Sequence, residues 1–319
     1  MTTPLHRRAA LPLVLATALL AGCADAPPPT AADPSVASAA GTAVGPHGGG
    51  PPLSVAFQSR RDGNAEIYLM NADGSDQTRV TTHLASDVEP DLSPNGRYVA
   101  FTSTRSGNAD IWLLDLQSGE LANLTNTTAT EGWARWSPNG QQLAFHSNRD
   151  GNNEIYVLDV RTGELERVTT YAGADMFPEW SPDGKTLAIR RDMDVWTLEL
   201  RTGELTQLTT HPALDQLAAW SPNGQQLAFM SFREGYCSVF LMNADGSEQT
   251  NLTPKDPADP ASAWCSRAPS WSTNGQQILF MSFRPSTGGD AEVFVMNADG
   301  SEQTRLTFTR GEDGFPTAR

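Results

Sequence analysis

The chain has 319 residues, 18% of them charged, and carries a formal charge of -15 at pH 7. So acidic a surface repels phosphate backbones and anionic lipid headgroups. This excludes a nucleic-acid partner and leaves no basic patch to hold a membrane.

The N-terminus reads as an export signal. Arg7 and Arg8 precede an apolar run from Ala9 to Leu20, followed by Leu20-Ala21-Gly22-Cys23. These are the charged, apolar and small-residue zones of a signal peptide over residues 1–22, with an apolar core too short for a permanent span. The small residues before Cys23 match a bacterial lipobox, making Cys23 the expected lipid attachment site. Two or three acyl chains hold a protein stably on a membrane. Ala24 to Pro52 is rich in Ala, Pro and Gly, without apolar periodicity. Residues 23–52 therefore read as the lipidated cysteine and a disordered tether with a span of roughly 30 Å. Ala24 mildly favours outer-membrane delivery, so the expected location is the periplasmic side of an outer membrane or the outer face of a single membrane. The remaining cysteines, Cys237 and Cys265, are an even number on a route where disulfides persist.

Residues 53–319 are self-similar. A turn recurs as Ser93-Pro94-Asn95-Gly96, Ser137-Pro138-Asn139-Gly140, Ser181-Pro182-Asp183-Gly184, Ser221-Pro222-Asn223-Gly224 and Ser272-Thr273-Asn274-Gly275, at intervals of 44, 44, 40 and 51 residues. Such a period, with several short strands per unit, is the signature of propeller blades. In each unit an aromatic such as Trp136, Trp180, Trp220 or Trp271 ends strand A, and strand B follows the turn, as in Gln142 to Ser147. Strand C is rich in β-branched and aromatic residues, as in Glu154 to Leu158. A turn such as Asn71-Ala72-Asp73-Gly74 leads to a short strand D, ending at Thr81, Thr125, Thr169, Thr209, Thr253 and Thr307. Six outer strands against five A–B turns leave one inner strand missing. Asp313 to Ala318 aligns with Asp175 to Trp180, so the C-terminal segment is expected to enter the first blade and close the ring. The fold class is all-β, a six-bladed propeller of four-stranded antiparallel blades.

The phrases Trp-Ser-Pro-Asn-Gly, Ser-Asn-Arg-Asp-Gly-Asn-Asn-Glu-Ile-Tyr and Met-Asn-Ala-Asp-Gly-Ser strongly resemble the PD40 or WD40-like repeats of TolB-type proteins. The resemblance covers Leu53 to the C-terminus and specifies the fold far better than the function, because the same repeat serves binding proteins, hydrolases and lyases. It implies envelope integrity or Tol-Pal-like transport. TolB itself carries an α/β domain before its propeller and is soluble in the periplasm, whereas a tether and a lipid site precede the repeats here.

In such blades the B–C and D–A loops share one face, and the uniform A–B and C–D turns share the other. The loop face is irregular where the loops Pro254 to Ala268 and Arg284 to Asp290 are extended, so partner contacts are expected at Arg233, Tyr236, Trp264 and Arg284. Cys237 and Cys265 fall in adjoining loops there, and a disulfide between them is expected. Arg61, Arg105, Arg149, Arg233 and Arg284 recur on this face. A ring of arginines can grip carboxylates, but each is more simply explained as the partner of an acid in its own or a neighbouring blade. Catalysis has little support. His83, His146 and His211 are lone histidines, and neither a Gly-x-Ser-x-Gly elbow nor a phosphate-binding loop is present. Funnel-lining positions read as repeat-consensus residues. No catalytic residue, metal or cofactor is assigned. The reading is a monomeric, non-catalytic envelope lipoprotein that binds a protein, a peptide or a cell-wall polymer. The alternative is a propeller-type carbohydrate-active lyase or hydrolase.

Overall fold

The computed structural model describes residues 55–255, 265–284 and 287–319. The signal segment, Cys23, the tether and Trp264 lie outside the described residues. Among those described, 24 strands form six four-stranded antiparallel sheets. Each sheet is one blade, ordered A to D from the inside out. Blades II to VI begin with strands A at Asp87–Leu92, Glu131–Trp136, Asp175–Trp180, Asp215–Trp220 and Ser266–Trp271.

Blade I is composite. Its strand B, Val55–Ser59, pairs antiparallel with Asp313–Ala318 as strand A, with Val55 opposite Ala318 and Ser59 opposite Asp313. The C-terminal segment thus closes the ring and leaves no unpaired inner edge. Strand D is shorter than the sequence suggests. Thr78–Arg79 in blade I is only two residues long, and Thr81 lies just beyond it, accepting from the Ile67 amide and donating to Glu66.

The core lies between blades rather than within them. Strands B and C are covered on both faces, so they read as continuous apolar runs instead of alternating ones. Phe57, Phe101, Phe145, Phe229 and Phe280 occupy one equivalent place in strand B and are fully buried, each stabilising the fold by about 1.5–3 kcal/mol. Blade IV puts Ile189 there. Ala144, Ile155 and Val157 of blade III meet Trp180, Leu187 and Ile189 of blade IV. Five of the six seams also carry a backbone bond from the head of strand A to the residue before strand C of the preceding blade, as from Asp87 N to Ala65 O at 2.8 Å.

Candidate functional site

Strand A bends in the same way in every blade. Its third residue, Glu89, Trp133, Phe177, Leu217, Ala268 or Phe315, has φ between 51° and 58°. In each blade this residue falls within a register shift against strand B. A bulge twists the strand locally and re-aims a side chain. A non-glycine residue in the left-handed region costs free energy that the surrounding fold must offset. Repeating it six times builds a ring around the axis. Trp133 stands edge-on to Phe177 at 5.0 Å and to Phe315 at 5.4 Å, and clusters with Leu217 and Ala268. These residues differ from blade to blade, contrary to the expectation of consensus residues along the funnel. Their shared signal is position, two residues after the head of strand A.

Glu89 is the one acid in this ring. Burial raises its pKa, opposed by the Thr102 hydroxyl and the Trp133 amide that donate to Oε2 at 2.9 Å each. His146 lies beside it, since a Cβ on Gly132 would meet Glu89 Oε2 and His146 Nε2 at 3.2 Å each. Burial, reinforced by the Arg190 charge, lowers the His146 pKa to about 4.

On the turn face the ring floors a cavity of about 270 Å³. Its walls are Trp136, Trp180, Trp220 and Trp271, and Pro94, Pro138, Pro182 and Pro222 stand at its mouth. Four of the five turn glycines, Gly140, Gly184, Gly224 and Gly275, abut the proline of the blade before, as Gly184 does Pro138, which ties those turns together. Arg135 bonds Glu179 at 3.0 Å, and Arg319 bonds Asp91 at 3.0 Å. Burial raises the Glu179 pKa to about 7, with Arg135 and Arg319 opposing the rise. The exposed edges of these largely buried tryptophans, set around a few charged groups, suit recognition of a peptide or a glycan.

On the loop face, Cys237 and Cys265 are bonded to each other, with Cα atoms 4.6 Å apart. The Tyr236 hydroxyl accepts from the Lys255 amide at 2.8 Å. Arg233 turns into its own blade, where it bonds Asp215 at 2.8 Å, Gln249 at 2.6 Å and Ser231 at 2.8 Å and covers the Phe240 ring. Arg284 likewise bonds Gln303 and lies 4.2 Å from the Phe294 ring centre, and burial lowers its pKa to about 10. Arg61, Arg105 and Arg149 pair with Asp313, Asp87 and Glu131 of their own blades. His83 and His211 accept from the amides of Ala85 and Ala213 and serve their loops. Among the described residues no group of three or more His, Cys, Asp and Glu is placed to hold a metal ion.

The described residues thus form a strand-closed six-bladed propeller with an aromatic-lined axial cavity. The TolB beta propeller domain family matches residues 29–134, 108–194 and 134–267, well over half the chain, and the chain belongs to that family. A curated relative, the Tol-Pal system protein TolB of Syntrophotalea carbinolica, is 44% identical over 45 residues. That match spans 14% of this chain and 10% of the relative's length. The crystal structure of TolB from Acinetobacter baumannii superposes with a TM-score of 0.73 at 22% identity, covering 83% of this chain and 66% of that one. An oligogalacturonate lyase in complex with manganese superposes with a TM-score of 0.53 at 14% identity, covering 80% and 73%. At those identities the likeness is one of fold.

Proposed function

We propose that this chain is a non-catalytic protein of the bacterial envelope, whose propeller binds a protein, a peptide or a cell-wall polymer in a role related to the Tol-Pal system. The observation that carries this reading is the axial cavity, where tryptophans and prolines fixed by interlocked turns surround the Arg135–Glu179 pair. Membership of the TolB propeller family supports it. In this reading residues 1–22 are removed, Cys23 carries the lipid, residues 23–52 form the tether and the propeller acts as a monomer without a cofactor. In this reading Arg233, Tyr236, Trp264 and Arg284 supply further partner contacts.

The test is affinity capture of the mature protein from its own envelope, with crosslinking and mass spectrometry to locate contacts. A reproducible partner crosslinked to the axial mouth or the loop rim supports the binding reading, and Trp180→Ala is expected to weaken its capture. Capture that yields no partner overturns it.

The second reading, a carbohydrate-active lyase or hydrolase, has one observation in its favour. Glu179, with a pKa raised to about 7 in the cavity, is poised as a general acid or base. Cleavage of an acidic polysaccharide by the wild type but not by Glu179→Gln would establish it.

A further inference from the structure

We infer that the loop face next to the bulge ring is an anion site, in which Arg190 and Arg267 grip the carboxylates of an acidic ligand. One step from the bulge ring toward the loops, the facing positions of strands A and B carry Met176 and Arg190 in blade IV, Gln216 and Met230 in blade V, and Arg267 and Met281 in blade VI. Two arginines with a glutamine between them therefore occupy three consecutive blades. Their guanidinium groups lie 5.2 Å from the Phe177 ring centre and 5.5 Å from that of Phe315. Those two rings flank Trp133 on the axis.

Neither arginine has a carboxylate partner among the described residues, unlike Arg61, Arg105, Arg149, Arg191 and Arg233. Arg190 donates to Gln216 Oε1 at 3.1 Å and to the Met176 sulfur at 2.9 Å, and its Nε is buried without an acceptor. Arg267 has a weak contact to the Met281 sulfur at 3.4 Å and stacks on Phe283 and Phe315. The acids that influence them are committed elsewhere, Asp192 to the Tyr171 hydroxyl at 2.6 Å and Glu312 to Arg60 at 3.5 Å. Burying a guanidinium without a carboxylate is unfavourable, and thioethers are weak acceptors. Partial burial also keeps water from screening an incoming charge. In a chain of net charge -15 these two cations stand apart from the acidic surface and select for carboxylates locally.

The same face carries exposed Leu84, Met193, Phe232 and Phe308 in its loops, so a ligand bearing apolar as well as acidic groups gains contact beyond the axis. The shared chemistry is a run of carboxylates, from an acidic peptide or from a uronic-acid polymer.

This deepens the binding reading without depending on the identity of an envelope partner. The full chain is titrated calorimetrically with hexaglutamate and, separately, with hexagalacturonate, in low salt. Binding of the peptide alone assigns a protein source, binding of the uronate alone a glycan source, and either supports the site. Arg190→Gln and Arg267→Gln are each expected to weaken binding at least about tenfold, with Arg190→Lys retaining part of it. Lys185→Gln, on an exposed turn of the other face, serves as control and leaves binding unchanged. Thermal unfolding of each variant shows whether it is folded. Failure of wild type to bind either probe, or equal binding by folded Gln variants, overturns the inference whatever envelope capture finds.

Discussion

Five of the six seams between blades carry a pair of acids at the facing strand ends, each arginine-paired acid taking its arginine from its own blade, and the sixth carries a disulfide bond. At the five, one acid stands at the start of strand C of a blade and another heads strand A of the next: Glu66 and Asp87, Asp110 and Glu131, Glu154 and Asp175, Asp194 and Asp215, and Glu292, the second residue of its strand, and Asp313. All but Asp194 are buried. The strand A acids take an arginine from strand B or the loop after it, as Asp87 takes Arg105 at 2.5 Å and Asp175 takes Arg191 at 2.7 Å. Glu66 and Glu154 take Arg79 and Arg167 of strand D. Between blades V and VI both heads are serines, Ser238 and Ser266. Among the described residues the Ser266 hydroxyl meets Ser282 at 2.9 Å, and Ser238 Oγ is buried without a partner. There the residues just before the two heads, Cys237 and Cys265, are joined by the disulfide. The seam without an acid pair is the one joined covalently, one residue before the two strand heads.

The largest effect is expected from Arg105→Ala, which leaves Asp87 fully buried without its cation and costs about 3–5 kcal/mol in urea unfolding. Replacing both cysteines by serine opens a bond between residues 28 apart and costs about 3 kcal/mol. A loss under about 1 kcal/mol in the double variant would mean that the serine seam stands without its bond, and the contrast between the two kinds of seam would fail.

Much of this was legible in the sequence. The Ser-Pro-Asn-Gly turns mark five blades, and the likeness of Asp313 to Ala318 to Asp175 to Trp180 locates the closing strand. Arginine partners were legible in kind but not in position. The acids after Arg61 and Arg149 catch the eye, yet the true partners of Arg105, Arg149 and Arg233 lie 18 residues earlier, an interval that recurs and could have been found. The bulge ring was not legible. Its members are Glu89, Trp133, Phe177, Leu217, Ala268 and Phe315, and no residue type signals a positive φ when the surrounding sheet imposes it. Arg190 and Arg267 were hidden for the same reason, because each departs from the repeat at a position whose orientation depends on that bulge.

A second asymmetry runs around the outer turns. Gly246, in the C–D turn of blade V, has φ of 85°, and a Cβ there would come 2.6 Å from the Leu208 carbonyl oxygen of blade IV. Gly163, in the corresponding turn of blade III, has φ of 74° but open space around it. Gly163→Ala therefore carries only the backbone strain, about 1 kcal/mol, whereas Gly246→Ala adds a clash with neighbouring backbone and is expected to cost about 2 kcal/mol or more. Equal losses in thermal unfolding would show that the outer turns of blades IV and V do not bear on each other.

A further effect distinguishes the seams by pH. Burial raises the Glu292 pKa from 4.5 to about 7, reinforced by Asp313 across the seam and opposed by Thr307 and Arg305. The folded chain thus keeps a proton on Glu292 that the unfolded chain has already released. Between those values folding takes up a proton, so this group's contribution to stability is fullest at low pH and falls as pH rises through about 7. Glu292→Gln places a neutral amide where the protonated acid stood and removes that slope. Relative to wild type, the variant is expected to gain thermal stability between pH 5 and pH 8. Glu179 and His146 titrate unchanged in both proteins, so the difference isolates this seam. A difference that does not vary with pH would place the charge on Glu292 throughout, and the carboxylate seams would then be as insensitive to protons as the serine seam beside the disulfide.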